Sequence, residues 1–144
     1  MRDLLDRLVA LVKRFEGCRL TAYQDLVGVW TIGWGETLGV VEGVIWTQEQ
    51  ADAVLRLRVG QFLLAALKRC PQLHLEPPGR SIACTSLAYN IGVGAFGASS
   101  VCRNTTRLRY LAAADSILLW NKAGGRVIPG LTNRRKLERT TYLT

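Results

Sequence analysis

The chain has 144 residues, and its 19 basic and 11 acidic side chains give a formal net charge of +8 at pH 7. With 49% hydrophobic residues it has enough apolar surface for a packed core, which argues against a disordered protein. The positive charge favours a polyanionic partner. The basic residues form no continuous arm, however, and their densest group is expected on a solvated helix face: Arg134, Arg135, Lys136 and Arg139.

The first predicted element is an amphipathic helix over residues 3–17, with Asp3 as its N-cap and Gly17 as its stop. Charged residues interrupt its apolar face, which argues against a signal peptide. Glu16 falls at the C-terminus of this helix, where the negative end of the helix dipole favours the protonated carboxyl. The apolar residues with helical spacing are Leu4, Leu8, Leu11, Val12 and Phe15.

A glycine-rich region follows from Leu20 to about Trp46, with short runs of aromatic and β-branched residues between the glycines. This pattern predicts a small antiparallel sheet with tight turns. Thr47 then begins a new helix, because Gln50 three residues later completes a capping box. We expect this helix to run to about Arg69 and to connect two lobes.

The rest of the chain predicts helices separated by glycine and proline. Residues 81–102 carry no charge, but their serines, threonine and glycines argue for a buried helix near 80–91 followed by a loop, and not for a membrane span. A further helix is expected over about 107–121. A last short helix contains the arginine group.

The predicted fold class is therefore α+β, mainly helical, with a small antiparallel sheet. We expect residues 1–144 to form a single domain. Its β-containing lobe would cover about 18–46, and the long helix and helical lobe about 47–144. The helix over 3–17 would pack between the lobes, and a cleft between them is the expected substrate site.

Two acidic residues stand apart from the others, most of which lie on expected helix surfaces or in polar loops. Glu16 ends the first helix, and Asp25 follows nine residues later in the first strand region. Cleavage of a glycosidic bond uses such a pair: a protonated carboxyl donates to the leaving oxygen, and a second one stays ionised. Thr31 could orient a water molecule in the same sheet. Taken alone, the pair is a weak signal, because two carboxylates in a small protein are common.

Three short stretches surround these residues, and they read RFEG at 14–17, AYQD at 22–25 and GVWTIGWG at 28–35. Together they resemble the phage lysozyme family, the endolysins of many tailed phages. That family carries a Glu, eight residues, an Asp, five residues and a Thr, and the spacing of Glu16, Asp25 and Thr31 matches it. The resemblance implies a lysozyme-like fold, with Glu16 as general acid, Asp25 as second carboxylate and Thr31 as the residue that positions water.

Later segments extend the resemblance over about residues 8–143. They include LAYNIGVGAF from Leu87 and WNKAGG from Trp120. The stretch from Arg103 to Tyr110 looks divergent, and two single positions depart from the family pattern. Glu36 stands where the family has a histidine and would add a negative charge near the cleft, and Arg58 stands where the long helix carries an acidic residue.

The resemblance implies hydrolysis of the β-1,4 bond between N-acetylmuramic acid and N-acetylglucosamine in peptidoglycan glycan strands. Tyr23, Trp34, Glu36 and Asn90 are the candidate substrate-binding residues. We expect a monomer. No nucleic-acid partner is expected, because no nucleic-acid-binding motif is present. It would be made in the host cytoplasm and act on periplasmic peptidoglycan after release through the inner membrane.

Two alternatives remain open at this stage. The protein could be a lytic transglycosylase, in which one Glu suffices, although an intact Asp25 and Thr31 argue against this. It could also be a wall-binding relative without activity. Whether the anomeric configuration is inverted or retained depends on the separation of the carboxylates, which the sequence does not give.

The cysteines and the single histidine predict no metal site and no cofactor. Cys18, Cys70, Cys84 and Cys102 show no CxxC spacing, and free thiols are expected without an export signal. His74 is expected in a surface loop. Cys18 lies two residues from Glu16, which suggests redox control as a hypothesis, although an incidental thiol is the favoured interpretation.

Overall fold

A computed structural model describes residues 2–144. Within them it contains seven α-helices and two small antiparallel sheets, so the predicted α+β class with mainly helical content is confirmed. A short 3₁₀ helix covers Pro71–Leu75. The elements in chain order are α1 (Arg2–Phe15), β1 (Arg19–Gln24), β2 (Trp30–Gly33), α2 (Gln48–Arg69), α3 (Pro78–Ile91), α4 (Val93–Gly97), α5 (Ser100–Thr106), α6 (Tyr110–Ile117), β3 (Lys122–Ala123), β4 (Arg126–Val127) and α7 (Pro129–Tyr142).

Helix α1 buries the predicted apolar face. Leu8 and Val12 are fully buried and pack in a cluster with the inner face of α2. The helix already includes Arg2, so the prediction that Asp3 is its N-cap is wrong; Asp3 lies in the first turn, where its charge still suits the helix dipole. The backbone N–H of Glu16 donates to the carbonyl of Val12 at 3.0 Å, which places Glu16 at the very end of the helix.

The main sheet is an antiparallel pair in which Tyr23 lies opposite Thr31 and Gln24 opposite Trp30. Thr31 is buried, and the strand that carries it packs against α2. A turn closes the hairpin between the two strands. Its backbone is held by a hydrogen bond from the N–H of Asp25 to the carbonyl of Val29, 2.9 Å long. The predicted small antiparallel sheet is thus confirmed.

Helix α2 begins as its sequence predicts. The hydroxyl of Thr47 accepts from the backbone N–H of Gln50 at 3.1 Å, and the side chain of Gln50 accepts from the N–H of Thr47 at 2.8 Å. This capping box satisfies two backbone donors that would otherwise lack a partner. One face of the helix is buried along its length, through Ala51, Leu55, Val59, Leu63 and Ala66. The helix therefore contributes to both hydrophobic clusters of the protein.

Two predictions fail between α3 and α6. The glycine-rich stretch predicted as a loop contains the helix α4, because Phe96 is fully buried and its burial outweighs the low helix propensity of glycine. The helix predicted over 107–121 is shorter. Leu108 has φ +60°, a left-handed backbone that separates α5 from α6.

Helix α7 corrects the expectation of a solvated arginine face. Arg134 and Arg135 are buried, with 3% and 0% of their surface exposed, whereas Lys136 is exposed. The burial results from close packing of α7 on α3. A Cβ added at Gly79 would lie 2.4 Å from the carbonyl oxygen of Thr141, so only glycine allows the two helices to approach this closely.

Candidate active site

A cleft with a volume of about 610 Å³ is bounded by four parts of the chain: the end of α1, the loop after β2, the middle of α2 and the end of α3. Four of the predicted site residues line it, whereas Tyr23, Asp25 and Thr31 lie outside its lining. The lining residues are Glu16, Trp34, Gly35, Glu36, Thr37, Leu38, Arg58, Phe62, Tyr89 and Asn90.

Glu16, the predicted acid, is held by a buried arginine. Nη1 of Arg134 donates to Oε1 of Glu16 at 2.7 Å. The Arg134 side chain is 3% exposed and that of Glu16 is 26% exposed, so the arginine comes from the interior and the carboxyl reaches the cleft. Within residues 2–144 no protein group hydrogen-bonds to Oε2 of Glu16, and this oxygen is available to a ligand. Sequence reasoning missed Arg134, which is 118 residues distant.

Asp25 and Thr31 are connected through the backbone of Val29. Oδ1 of Asp25 accepts from the N–H groups of Val27 and Val29 at 3.0 and 2.9 Å. The hydroxyl of Thr31 donates to the carbonyl of Val29 at 2.9 Å. Asp25 is partly buried in a turn whose apolar residues Leu26 and Val27 are exposed. The hairpin turn thus fixes both side chains relative to each other.

Glu36 and Arg58, the two departures from the family pattern, form one ion pair. Nη2 of Arg58 lies 2.6 Å from Oε1 of Glu36, and Nε lies 2.8 Å from Oε2. These hydrogen bonds lower the pKa of Glu36 against the opposing effect of burial, and Glu36 in turn raises the pKa of Arg58. The expectation of an extra negative charge near the cleft is therefore corrected: Arg58 neutralises it.

Trp34 is fixed in the cleft wall by several contacts. Its ring nitrogen Nε1 donates to Asp52 at 2.8 Å, and the hydroxyl of Tyr89 donates to its carbonyl at 3.2 Å. Lys13 lies 3.1 Å from Asp52, with its ammonium 5.2 Å from the centre of the Trp34 ring. The hydrogen bond from Trp34 is the main reason that the pKa of Asp52 is lowered. An indole held in this way suits stacking on a sugar ring.

Tyr89 lines the same cleft beside Trp34. Its ring packs against Phe62 with the centroids 5.0 Å apart and the planes inclined by 59°. Burial raises the pKa of Tyr89 to about 12, with the nearby charge of Glu16 acting in the same direction, so the phenol stays neutral and can donate. Neither residue was singled out from the sequence. The signal was weak because aromatic residues at helical spacing usually belong to a core.

The described residues offer no metal site. Among residues 2–144 there is no group of three or more His, Cys, Asp or Glu side chains that could hold an ion.

All four cysteines are unpaired; Cys18 is partly buried and the other three are buried. Across the same residues, none of the helices is both long enough and apolar enough to cross a membrane.

The fold and the cleft define a lysozyme-like protein. The structure superposes on the muramidase domain of SpmX from Asticaccaulis excentricus with a TM-score of 0.84 and 34% identity, covering 95% of both chains. It superposes on a variant of P22 lysozyme with a TM-score of 0.81 and 36% identity, again over 95% of both chains. The predicted lysozyme-like fold is thus confirmed.

Sequence comparisons give the family. The profile of the phage lysozyme family, described as "Phage lysozyme", matches residues 13–138. The chain is 37% identical to an endolysin of Acyrthosiphon pisum secondary endosymbiont phage 1, covering 93% of each chain, and 36% identical to the endolysin of Salmonella phage P22, covering all of both. It spans 52% of the endolysin of Bacillus phage B103. The chain therefore belongs to the phage lysozyme family, and it is a lysozyme-type hydrolase of the endolysin class that degrades peptidoglycan.

Proposed function

We propose that this lysozyme hydrolyses the β-1,4 bond between N-acetylmuramic acid and N-acetylglucosamine, with Glu16 as the proton donor. The observation that carries the proposal is the position of Glu16 in the cleft wall. Arg134 occupies its Oε1 at 2.7 Å, and no described protein group hydrogen-bonds to Oε2. A proton on Oε2 would thus be free to pass to the glycosidic oxygen as the bond breaks.

Asp25 is proposed as the second carboxylate and Thr31 as the residue that positions water. Two backbone N–H groups donate to Oδ1 of Asp25 and fix the orientation of its carboxylate. The Thr31 hydroxyl donates its proton to the carbonyl of Val29, so its oxygen is left to accept a hydrogen bond from water. Both side chains lie outside the lining of the main cleft, and the proposal requires a glycan strand that reaches the hairpin.

Trp34, Asn90, Glu36 and Tyr23 are proposed to contact the glycan. The first three line the cleft. The carboxylate of Glu36 is engaged by Arg58, so this pair would meet sugar hydroxyls as a neutral unit. One face of the Tyr23 ring is covered by the guanidinium of Arg19, 4.0 Å from the ring centre. We assign the contact with the glycan to the Tyr23 hydroxyl, for which the described residues provide no hydrogen-bond partner.

The biological setting follows the same proposal. Endolysins act on the host cell wall, and two relatives are SAR-endolysins, from Enterobacteria phage P21 at 32% identity and from Bacteriophage PS119 at 31%. We propose that this protein acts as a monomer with a single domain, without a nucleic-acid partner, on periplasmic peptidoglycan that it reaches through the inner membrane. Its net charge of +8 would favour the anionic envelope.

The test is digestion of purified peptidoglycan by the wild type and by Glu16→Gln, with the products identified by mass spectrometry. Glu42→Gln is the matched control, because Glu42 is exposed and forms no ion pair among the described residues. We expect reducing-end muropeptides from the wild type and the control and none from Glu16→Gln. Anhydro-muropeptides would identify a transglycosylase instead. No products from any of the three would leave a wall-binding protein, and full activity of Glu16→Gln would exclude Glu16 as the acid.

A further inference from the structure

We infer that Glu138 is a positioning residue for the glycosidase reaction. This buried carboxylate on α7 holds two arginines, one directed at Glu16 and the other at Asn90. The inference rests on the proposed role of Glu16 as proton donor. It explains why a charged side chain that takes no direct part in the reaction lies in the interior of the helical lobe with 0% exposure.

The first arm of the arrangement leads to Glu16. Oε2 of Glu138 lies 3.3 Å from Nε of Arg134 and accepts from the hydroxyl of Ser86 at 2.5 Å. Nη2 of Arg134 donates to the carbonyl and the hydroxyl of Ser86 at 3.2 and 3.3 Å. Two nitrogens of the guanidinium are thus held by groups in the interior, and the remaining one, Nη1, meets Glu16. Because its other nitrogens are held in this way, the Arg134 guanidinium has a fixed position and orients the Glu16 carboxyl.

The second arm leads to Asn90. Nε of Arg135 lies 2.7 Å from Oε1 of Glu138, and Nη2 of Arg135 donates to Oδ1 of Asn90 at 2.9 Å. Since the amide oxygen is engaged by Arg135, the amide NH₂ of Asn90 remains for the cleft. This polarity suits an acceptor on the glycan, such as the carbonyl of an N-acetyl group. Glu138 thereby also determines which hydrogen-bonding group the cleft presents at this position.

Glu138 also balances charge close to the acid. Burial raises the pKa of Glu138, and Arg135 and Arg134 oppose that effect. When Glu138 is ionised, the positive charge of Arg134 interacts with two carboxyls, those of Glu138 and Glu16. Without it, Arg134 would attract Glu16 alone and favour the ionised form of the proton donor. Two titratable groups on α3 face these carboxyls: Tyr89 interacts with Glu16, and Cys84 interacts with Glu138. Glu36, paired with Arg58, lines the same cleft as Glu16.

The test is the pH dependence of kcat and KM on soluble glycan strands for the wild type and Glu138→Gln. The variant keeps the shape of the side chain and removes its charge. We expect the alkaline limb of the kcat profile to move to lower pH by about 0.5 to 1 unit, because a stronger pull from Arg134 deprotonates the acid earlier. Rotation of Asn90 should raise KM about threefold, the effect of weakening one hydrogen bond.

Two variants act as controls. Glu138→Asp retains the charge and should return the alkaline limb to its wild-type position, while Glu42→Gln, which removes a surface charge, should leave both kinetic constants unchanged. A Glu138→Gln protein that folds with a lower Tm but keeps the wild-type limb and KM would overturn the inference, because Glu138 would then have only a structural role. If Glu138→Gln does not fold, Ser86→Ala provides the test, because it removes the hydroxyl that contacts Glu138 and Arg134. The alkaline limb should then move to lower pH as well. An unchanged limb would refute the inference.

A measurement that does not use activity separates this inference from the proposed function. The carboxyl carbon of Glu16 can be followed by ¹³C NMR during a pH titration, with its signal assigned from Glu16→Gln. A lower titration midpoint in Glu138→Gln supports the inference even if Glu16→Gln turns out to be active and the proposed function fails. An unchanged midpoint together with an inactive Glu16→Gln would refute the inference alone.

Discussion

Glu36 and Arg58 hold each other by two parallel contacts of 2.6 and 2.8 Å, between the loop after β2 and the middle of α2. The resemblance to phage lysozymes leads one to expect a histidine at the first position and an acidic residue at the second. Here the acidic group is in the loop and the basic group is on the helix. Two departures that look independent along the chain are therefore one compensated interaction.

We expect Arg58→Gln to lower the free energy of unfolding by about 1 to 2 kcal/mol near neutral pH, because it leaves the Glu36 carboxylate without its charged partner. Hydrogen bonds from Arg58 lower the pKa of Glu36 below its ordinary 4.5. The stabilisation is therefore complete above pH 4.5 and is lost as the pH falls through the lowered value. Urea denaturation at a series of pH values measures this.

The control for this prediction is a double-mutant cycle with Glu36→Gln. The coupling energy should match the loss in the single variant and should vanish in strong acid, where the carboxyl is protonated in both the folded and the unfolded chain. A difference between wild type and Arg58→Gln that persists unchanged at about pH 2 would show that the charge of Glu36 contributes nothing.

Asp25→Asn should fold normally and lose activity. The amide retains an oxygen for the N–H groups of Val27 and Val29, so the turn keeps its hydrogen bonds. The negative charge that would activate water or stabilise the oxocarbenium-like transition state is removed, and we expect kcat to fall at least about 100-fold. Initial rates on peptidoglycan, with Tm as the check on folding, measure this. An Asp25→Asn variant with wild-type kcat would exclude Asp25 as the second carboxylate.

Thr31 should tolerate serine and not valine. Thr31 is 5% exposed, so Thr31→Val preserves its shape while it removes the hydroxyl that donates to the carbonyl of Val29. We expect kcat to fall about 10- to 100-fold in Thr31→Val and to stay near wild type in Thr31→Ser. A Thr31→Val variant with wild-type kcat would show that the hydroxyl has no part in positioning water.

Gly79→Ala should destabilise the protein, because the new methyl group would lie 2.4 Å from the backbone carbonyl of Thr141 and force α3 away from α7. We expect a loss of about 2 to 3 kcal/mol in the free energy of unfolding, as in other overpacked sites. Gly130→Ala is the matched control: no atom lies within 4 Å of the added Cβ, and helix propensity predicts a gain of up to about 1 kcal/mol. Thermal unfolding of both variants measures this. Equal Tm values for Gly79→Ala and Gly130→Ala would contradict the prediction.

Short-range signals in the sequence led to the elements that were predicted correctly. The capping box of Thr47 and Gln50, the apolar face of α1 and the glycine-separated strands each act over a few residues, where chain geometry leaves little choice. The spacing of Glu16, Asp25 and Thr31 belongs to the same class, since a helix end followed directly by a hairpin restricts where these side chains can lie.

Packing between distant segments decided the remainder. Helix α4 forms because Phe96 finds a buried position that its glycine neighbours do not predict. Arg134 and Arg135 have the composition of a solvated face, yet they are buried because Glu138 offers them a partner inside the protein. The contact of Arg134 with Glu16 joins residues 118 positions apart. No local pattern encodes such a pair, since Arg134 becomes the partner of Glu16 only when the packing of α7 on α3 removes it from water and leaves that carboxyl within its reach.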